Sequence, residues 1–226
     1  MNNNKYINHF LIKKNTIEKR LYQLDIASKC LNVNSLIILP TSLGKTVITL
    51  LITVNCIEKK KGSVLILAPT KPLVEQHVSF FLEVLNIDPN KIIKITGHTP
   101  IIERVYDLDE NKIIIATPQV IKNDILKKKI NINKIYYLIF DEVHHATGKY
   151  AYTFIANAFN SIKEKNFYII GITASPGNNI QKIKNLKDLL NIKNVIYKTN
   201  EDFDIKKYIY DIIIKVEFVI LSKYYK

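Results

Sequence analysis

The stretch Leu39-Pro40-Thr41-Ser42-Leu43-Gly44-Lys45-Thr46 decides the fold that this sequence predicts. A short apolar run precedes it from Leu36 to Ile38, and an apolar helical pattern follows it from Val47. A strand, a tight loop ending in Gly-Lys-Thr and a helix form a phosphate cradle, because loop N–H groups and the helix N-terminus point at the anion. The pattern predicts that residues 40–46 bind a nucleotide, with Lys45 on the β- and γ-phosphates and the Thr46 hydroxyl on Mg²⁺.

Gly-Lys-Thr by itself is a weak signal. The full pattern G-x-x-x-x-G-K-[ST] fails because Leu39 stands at its first glycine, and a plain helix N-terminus would also explain Lys45 and Thr46. The pair Asp141-Glu142, which follows a second apolar strand, strengthens the nucleotide interpretation, since buried carboxylates are costly unless they are paired or bind a metal. We expect Asp141 to hold Mg²⁺ and Glu142 to orient and deprotonate the attacking water.

The composition is that of a globular α/β domain. The chain has 226 residues, of which 47% are hydrophobic and 23% charged, enough for one substantial core. No apolar run approaches the ~20 residues of a membrane span. Cys30 and Cys56 lie in apolar helical patterns and are predicted to be buried thiols rather than a disulfide. We therefore expect a reducing, cytoplasmic setting without a membrane.

The formal charge of +13 points to a polyanionic partner such as nucleic acid. The alternative explanation is biased codon usage, because the chain is rich in Ile, Asn and Lys together. Such a bias raises the number of lysines everywhere without creating a binding face.

Apolar strands alternate with helical patterns along the chain. Several strands are continuous β-branched runs, typical of strands buried on both faces of a parallel sheet. One amphipathic helix, Leu73–Leu85, is predicted to bury Leu73, Val74, His77, Val78, Phe81, Leu82 and Leu85. The pattern predicts a doubly wound, mostly parallel α/β fold, which binds ligands at the carboxyl ends of its strands. The predicted strands are Leu36–Leu39, Val64–Ala68, Ile92–Thr96, Ile113–Thr117, Tyr137–Phe140, Tyr168–Thr173 and Val195–Lys198.

The loops at those strand ends carry a family resemblance. In order they read Ala68-Pro69-Thr70-Lys71-Pro72-Leu73-Val74-Glu75-Gln76-His77, Thr96-Gly97, Ala116-Thr117-Pro118-Gln119, Asp141-Glu142-Val143-His144 and Thr173-Ala174-Ser175-Pro176. This series resembles the first RecA-like domain of superfamily 2 DExD/H helicases, which are P-loop NTPases. The first and last of these motifs, together with Tyr150-Ala151-Tyr152, look like the archaeal Hef and Fanconi-anaemia M-type helicases, which act on forked and branched DNA.

The resemblance implies roles around ATP and Mg²⁺. Gln23 matches the glutamine that reads the adenine edge, although a solvated helix glutamine is the plain alternative. Lys45, Asp141 and Glu142 keep the roles already given, and His144 matches the histidine that links the nucleotide site to the partner domain. A metal site formed by Asp141, His144 and His145 is the weaker alternative. Thr173 and Ser175 match the motif that couples hydrolysis to strand movement, unless they are simply a polar turn.

The resemblance also implies a track for one nucleic-acid strand. Small hydroxyls, a lysine and exposed backbone N–H groups suit contact with phosphates, which fixes position without reading sequence. Each residue could equally be an ordinary loop residue, and only their shared location at one sheet edge supports the interpretation. The residues are Thr70, Lys71, Gly97, Thr117 and Gln119.

Two positions depart from the family pattern. Ser42 stands where the family usually has glycine, and it would cost on the order of 1 kcal/mol if that position needs a positive φ. Val143 replaces the more common alanine, with little expected effect. Neither departure predicts loss of nucleotide binding.

The resemblance predicts three regions: an N-terminal extension (1–14), a RecA-like ATP-binding domain (15–200) and a strand or linker (201–226) toward a missing second RecA-like domain. The apolar run Ile209–Leu221 falls in the last region. The only arginines are Arg20 and Arg104, in no G-R-x-x-R motif. An arginine finger increases the rate of such reactions ~10³- to 10⁵-fold. We therefore expect slow turnover by this chain alone.

Three hypotheses for the function remain. The first is the ATP-binding half of a DNA helicase or translocase acting on forked or branched DNA in repair or replication restart, associated with the nucleoid. The second is a nucleic-acid-binding or regulatory protein with little catalysis. The third is an RNA-directed member of the same superfamily.

Overall fold

A computed structural model describes residues 5–104, 106, 108, 111–146, 150–163, 166–174, 180–206 and 208. Strands and helices alternate through these residues, as the sequence predicts. The strands are β1 (Ser35–Ile38), β2 (Ser63–Leu67), β3 (Ile92–Ile95), β4 (Ile113–Ala116), β5 (Ile135–Phe140), β6 (Tyr168–Thr173) and β7 (Asn194–Tyr197). The α-helices are α1 (Leu21–Lys29), α2 (Lys45–Glu58), α3 (Lys71–Val84), α4 (Pro118–Leu126), α5 (Ala151–Asn160), α6 (Ile180–Leu189) and α7 (Phe203–Lys206).

The strands form one sheet in the order β3-β4-β2-β5-β6-β1-β7, and every described pairing is parallel. The predicted doubly wound fold is confirmed, and the strands begin and end within two residues of the predicted bounds. Because all strands point the same way, the loops that follow them meet at one edge. At that edge the loops after β5, β6 and β1 are neighbours, and so are those after β3, β4 and β2.

The apolar runs of the central strands fill two cores. In β1, Ile37 packs into a core with α1, α2 and α3, whereas Leu36 and Ile38 pack into a second core with α4, α5 and α6. Both faces of these strands are therefore buried, which explains why the sequence runs apolar without alternation. The edge strands β3 and β7 are only partly buried.

Helix α3 corrects one detail of the predicted apolar face. It buries Val74, His77, Phe81 and Val84, but Leu82 is 40% exposed. Leu82 follows Phe81 by one residue, about 100° around the helix, so it falls beside the stripe that packs on the sheet.

The described part of the N-terminal segment packs on the α1–α3 face. Tyr6 bridges Glu18 and Ile12 bridges Leu85 in short antiparallel contacts, and Ile12 and Ile17 are buried in the core. The predicted division at residue 15 stays a prediction. Of the region 201–226, only 201–206 and 208 are described, and the run Ile209–Leu221 lies outside.

Both cysteines are buried and free, as predicted. Burial raises the pKa of the Cys30 thiol to about 11 and that of Cys56 to about 12. Within the described part of the chain, no helix combines the length and the apolar character that a bilayer crossing requires.

Candidate functional site

The loop between β1 and α2 has the backbone shape of a phosphate cradle. Ser42 has φ 70° and Gly44 has φ 72°, both in the left-handed region. Ser42 therefore occupies a position that favours glycine, and its hydroxyl donates to the carbonyl of Thr41. Two such residues turn the chain tightly out of β1 and into α2, which begins at Lys45.

The donors of this loop suit an anion. Among the described residues, the N–H groups of Ser42, Leu43 and Gly44 donate no hydrogen bond. Those of Lys45 and Thr46 belong to the first turn of α2, where an α-helix offers no internal acceptor. Pro40 and Thr41 complete the loop. Five consecutive N–H groups, three in the loop and two in the first turn of the 14-residue α2, thus need an acceptor. Phosphate oxygens can be that acceptor.

Two side chains of α1 support the loop from beneath. The Tyr22 hydroxyl donates to the Leu43 carbonyl at 2.7 Å, and the amide nitrogen of Gln23 donates to the same carbonyl at 3.2 Å. Gln23 is only 2% exposed, and a Cβ at Gly44 would lie 2.3 Å from its Nε2. Gln23 Oε1 is buried with no partner among the described residues. In this arrangement Gln23 holds the loop, and its contact with adenine stays a prediction.

The acidic residues after β5 meet the lysine of the loop. Lys45 Nζ lies 2.8 Å from Glu142 Oε1, a contact between residues 97 apart in the chain. Glu142 adopts φ 47°, and its N–H donates to Asp141 Oδ1 at 3.0 Å. The tertiary structure therefore brings the two acidic residues and Lys45 together as the sequence predicts. Their roles in binding and hydrolysis stay predictions.

His144 continues this contact chain to the end of β6. Its Nδ1 lies 2.9 Å from Thr173 Oγ1 and 3.4 Å from Glu142 Oε2. Burial lowers the pKa of His144 below its ordinary value, and the neighbouring His145 adds to the lowering. Thr173 also accepts a hydrogen bond from Leu39 N through its carbonyl, at 3.0 Å. The second residue predicted to couple hydrolysis to movement, Ser175, lies outside the described residues.

The donor set fits a magnesium ion held together with a triphosphate. Each oxygen of Asp141 accepts one hydrogen bond, from Glu142 N and from His77 Nε2, and a carboxylate oxygen has two lone pairs. Among the described residues the Thr46 hydroxyl makes no hydrogen bond. No group of three or more His, Cys, Asp or Glu residues in the described ranges is placed to hold a metal, so the alternative site with Asp141, His144 and His145 gains no support.

Two contacts of Asp141 were missed by the sequence analysis. His77 Nε2 lies 2.8 Å from Asp141 Oδ2. The single proton of the Tyr152 hydroxyl is shared between two carbonyls, with the hydroxyl oxygen 3.0 Å from that of Leu67 and 2.8 Å from that of Asp141. The sequence marks His77 only as a member of a buried helix face. Tyr152 stands out only in the family resemblance, since nothing local connects it with residues on other elements.

The predicted nucleic-acid residues follow three neighbouring strands, β2, β3 and β4. Thr70 and Thr117 are the N-caps of α3 and α4, and neither side chain caps its helix. A Cβ at Gly97 would meet nothing within 4 Å, so the backbone there is open. Lys71 and Gln119 are exposed. The five residues share one sheet edge, and their contact with phosphates stays a prediction.

A buried ion pair ties two of these loops together. The Arg104 guanidinium lies 3.3 Å from Asp124 Oδ1, and the Tyr106 hydroxyl donates to Asp124 Oδ2 at 2.6 Å. Asp124 is 1% exposed and belongs to α4. The segment after Gly97 is thereby fixed to α4, the helix that begins directly after Thr117. Burial and the Asp124 carboxylate raise the pKa of Tyr106.

Comparison with known proteins finds helicases of similar sequence. A Methanocaldococcus jannaschii protein with the provisional name ATP-dependent RNA helicase is 47% identical over 204 residues, 90% of this chain and 26% of the relative. The ATP-dependent DNA helicase fml1 of Schizosaccharomyces pombe is 35% identical over 191 residues, 84% of this chain and 23% of the relative. The chain thus spans about a quarter of the length of these curated relatives.

A solved structure has the same fold. The crystal structure of the Pyrococcus furiosus Hef helicase domain matches with a TM-score of 0.84 and 40% identity, over 90% of this chain and 42% of that one. The DEAD/DEAH box helicase family matches residues 15–183. With the motif loops gathered at one edge of a RecA-like sheet, these similarities show that the chain belongs to the DEAD/DEAH box helicase family.

Proposed function

We propose that this chain is the ATP-binding motor half of an ATP-dependent DNA helicase or translocase that acts on forked or branched DNA in repair or replication restart. The contact of Lys45 Nζ with Glu142 Oε1 at 2.8 Å carries the proposal. This contact joins Lys45, the lysine that we expect to bind phosphate, to Glu142 of a motif 97 residues away. A chain that only binds nucleic acid has no need of this arrangement.

The geometry suggests how these residues act on a nucleotide. When bound, Mg²⁺·ATP supplies the phosphoanhydride bond and the divalent charge that offsets its oxygens. The loop N–H groups and Lys45 would bind the phosphates, and Thr46 and Asp141 would hold the metal. The Glu142 carboxylate orients the attacking water and accepts its proton. His144 contacts both Glu142 and Thr173. Through these contacts it would transmit a structural change at the γ-phosphate to the end of β6.

A second RecA-like domain, in the same polypeptide or another, would complete the motor. Arg104 is paired with Asp124 and its side chain is 10% exposed. Arg20 is paired with Glu18 at 3.1 Å, and its guanidinium lies over the Tyr208 ring at 5.1 Å. Since these are the only arginines, an arginine finger must come from outside these 226 residues.

DNA is favoured over RNA by the similarity to the fission-yeast protein, which is named an ATP-dependent DNA helicase. The net charge of +13 suits either polyanion. The RNA-directed function remains the second candidate, because the Methanocaldococcus relative is named for RNA. If DNA is the substrate, the protein works at the nucleoid.

The test is hydrolysis of Mg²⁺·ATP by the purified chain, with and without forked DNA, beside Glu142→Gln. Binding of ATP with very slow turnover is the expected result. DNA-stimulated turnover above about one per second, lost in Glu142→Gln, would show that the chain is catalytically complete and would contradict the half-motor proposal. A competition between forked DNA and RNA of equal length decides the substrate. Absence of nucleotide binding would favour the regulatory alternative.

A further inference from the structure

His77 makes a contact that none of the predicted roles explains. It lies in the middle of α3, and its Nε2 reaches Asp141 Oδ2 at 2.8 Å across 64 residues of sequence. The side chains are 6% and 13% exposed, so solvent screens the contact little. Asp141 is the carboxylate proposed to hold Mg²⁺.

The imidazole is fixed in place by its helix. His77 shares the buried face of α3 with Val74 and Phe81, which pack into the core. Its Nδ1 is buried and has no hydrogen-bond partner among the described residues. A ring proton on Nδ1 would be a buried donor without an acceptor, which is costly. The hydrogen-bond network therefore assigns the proton to Nε2, where it is donated to Asp141.

This donation completes the orientation of the carboxylate. Asp141 Oδ1 accepts from Glu142 N at 3.0 Å and Oδ2 accepts from His77, so neither oxygen can rotate without losing a hydrogen bond. Each keeps a lone pair for a metal ion or its water. Partners of this kind outside the metal's own ligands commonly change metal affinity 10- to 100-fold.

We propose that His77 is a positioning residue that aims the Asp141 carboxylate at the Mg²⁺ of the nucleotide. The role rests on the proposed ATP site. It also makes α3 part of the nucleotide site. This helix begins at Lys71, directly after its N-cap Thr70, and both are among the residues predicted to bind nucleic acid. A side chain at position 77 that was exposed, or that had no polar atom, could not link α3 to Asp141 in this way.

The test measures the Mg²⁺ dependence of nucleotide binding rather than hydrolysis. A fluorescent, non-hydrolysable ATP analogue is held at fixed concentration while MgCl₂ is titrated into the wild-type chain, His77→Leu and His77→Gln. We expect His77→Leu to raise the half-saturating Mg²⁺ concentration about tenfold or more. His77→Gln keeps an N–H donor the same number of bonds from the backbone and should restore the value to within about threefold. Binding of the analogue in EDTA should change less than about twofold.

Val74→Ala is the matched control. Val74 is fully buried on the same face of α3, three residues before His77, so its truncation loosens the helix without touching Asp141. It should lower the melting temperature and leave the Mg²⁺ midpoint unchanged. If circular dichroism shows His77→Leu to be unfolded, His77→Met, with a flexible side chain that fills irregular space, replaces it with the same expected midpoint.

Two results would overturn the role of His77. One is a folded His77→Leu variant with the wild-type Mg²⁺ midpoint, and the other is an equal shift in Val74→Ala. A wild-type chain that binds the analogue independently of Mg²⁺ would instead contradict the proposed ATP site itself, and the role of His77 with it.

Discussion

Lys45 and Glu142 form an ion pair in this structure, with 2.8 Å between Nζ and Oε1. The two residues are expected to act on the same triphosphate, the lysine on its phosphates and the glutamate on the water that attacks it. The side chains are 14% and 25% exposed. Nucleotide binding must therefore exchange a carboxylate partner of Lys45 for phosphate oxygens, and the contact competes with the ligand.

Glu142→Gln should tighten the binding of a non-hydrolysable ATP analogue in Mg²⁺. A neutral amide competes less for Lys45, and a partly exposed ion pair contributes ~0.2–1 kcal/mol, so we expect the affinity to increase by about 1.4- to fivefold. A fluorescence titration measures it, and Lys45→Ala, which should abolish binding, is the control. Weaker binding in Glu142→Gln would show that the pair supports the site instead of competing with its ligand.

Gly44→Ala should disrupt the loop through Gln23. The added Cβ would lie 2.3 Å from Gln23 Nε2, and moving that amide breaks its bonds to Leu43 and Tyr22. We expect a loss of about 1–3 kcal/mol in unfolding free energy and a fall of more than about tenfold in nucleotide affinity. Chemical denaturation and analogue titration measure the two effects.

The double variant Gly44→Ala with Gln23→Ala separates clash from backbone strain. Removing the amide relieves the clash, so the combined loss should be smaller than the sum of the single losses. What remains is the cost of alanine at a positive φ, on the order of 1 kcal/mol. Simple additivity would mean that the two residues do not meet.

Lys71→Ala should weaken binding of single-stranded DNA and flatten its salt dependence. Lys71 is exposed at the start of α3 and only loosely paired, 4.0 Å from Glu75. Loss of one phosphate contact lowers the slope of log K against log salt by about 0.7. Lys59→Ala, at the far end of α2 and the opposite sheet edge, is the matched control. Fluorescence anisotropy of a labelled oligonucleotide measures both, and equal slopes would remove Lys71 from the strand track.

Tyr152→Phe should destabilise the chain by about 1–3 kcal/mol, because it removes the one buried proton that the carbonyls of Leu67 and Asp141 share. Tyr150→Phe is the matched control, since Tyr150 is 36% exposed, and it should cost less than about 0.5 kcal/mol. Urea denaturation measures the difference. Equal effects would show that the two carbonyls find other donors.

His144→Gln should reduce the loss of stability between about pH 7 and pH 5. The pKa of His144 is lowered in the folded chain, whereas the unfolded value is about 6.5. The unfolded state therefore binds more protons in this window, so the stability contribution is complete above pH ~6.5 and is lost as the pH falls. The side chain is 36% exposed, so the effect should stay below about 1 kcal/mol. Denaturation without nucleotide measures it, and parallel pH profiles would contradict the prediction.

The fold could be predicted because its signals are local. Continuous apolar runs such as Ile113–Ala116 and Tyr168–Thr173 appear as buried strands, since burial on both faces removes the need for alternation. The polar loops that follow them must then meet at one edge of a parallel sheet. The prediction for Leu82 was wrong because helical periodicity gives the direction of an apolar stripe but not its width.

The sequence by itself determined the strands, their alternation with helices and the chemical types at the strand ends, whereas the positive φ of Ser42 and Gly44 came from the structure. Only the tertiary structure decided which of these side chains touch. The order β3-β4-β2-β5-β6-β1-β7 brings Lys45 to Glu142 and His77 to Asp141 and buries Gln23 beneath the loop. These contacts join residues 97, 64 and about 20 positions apart. Periodicity encodes the direction of a side chain on its own element, whereas the packing of elements sets the distance between side chains on different ones.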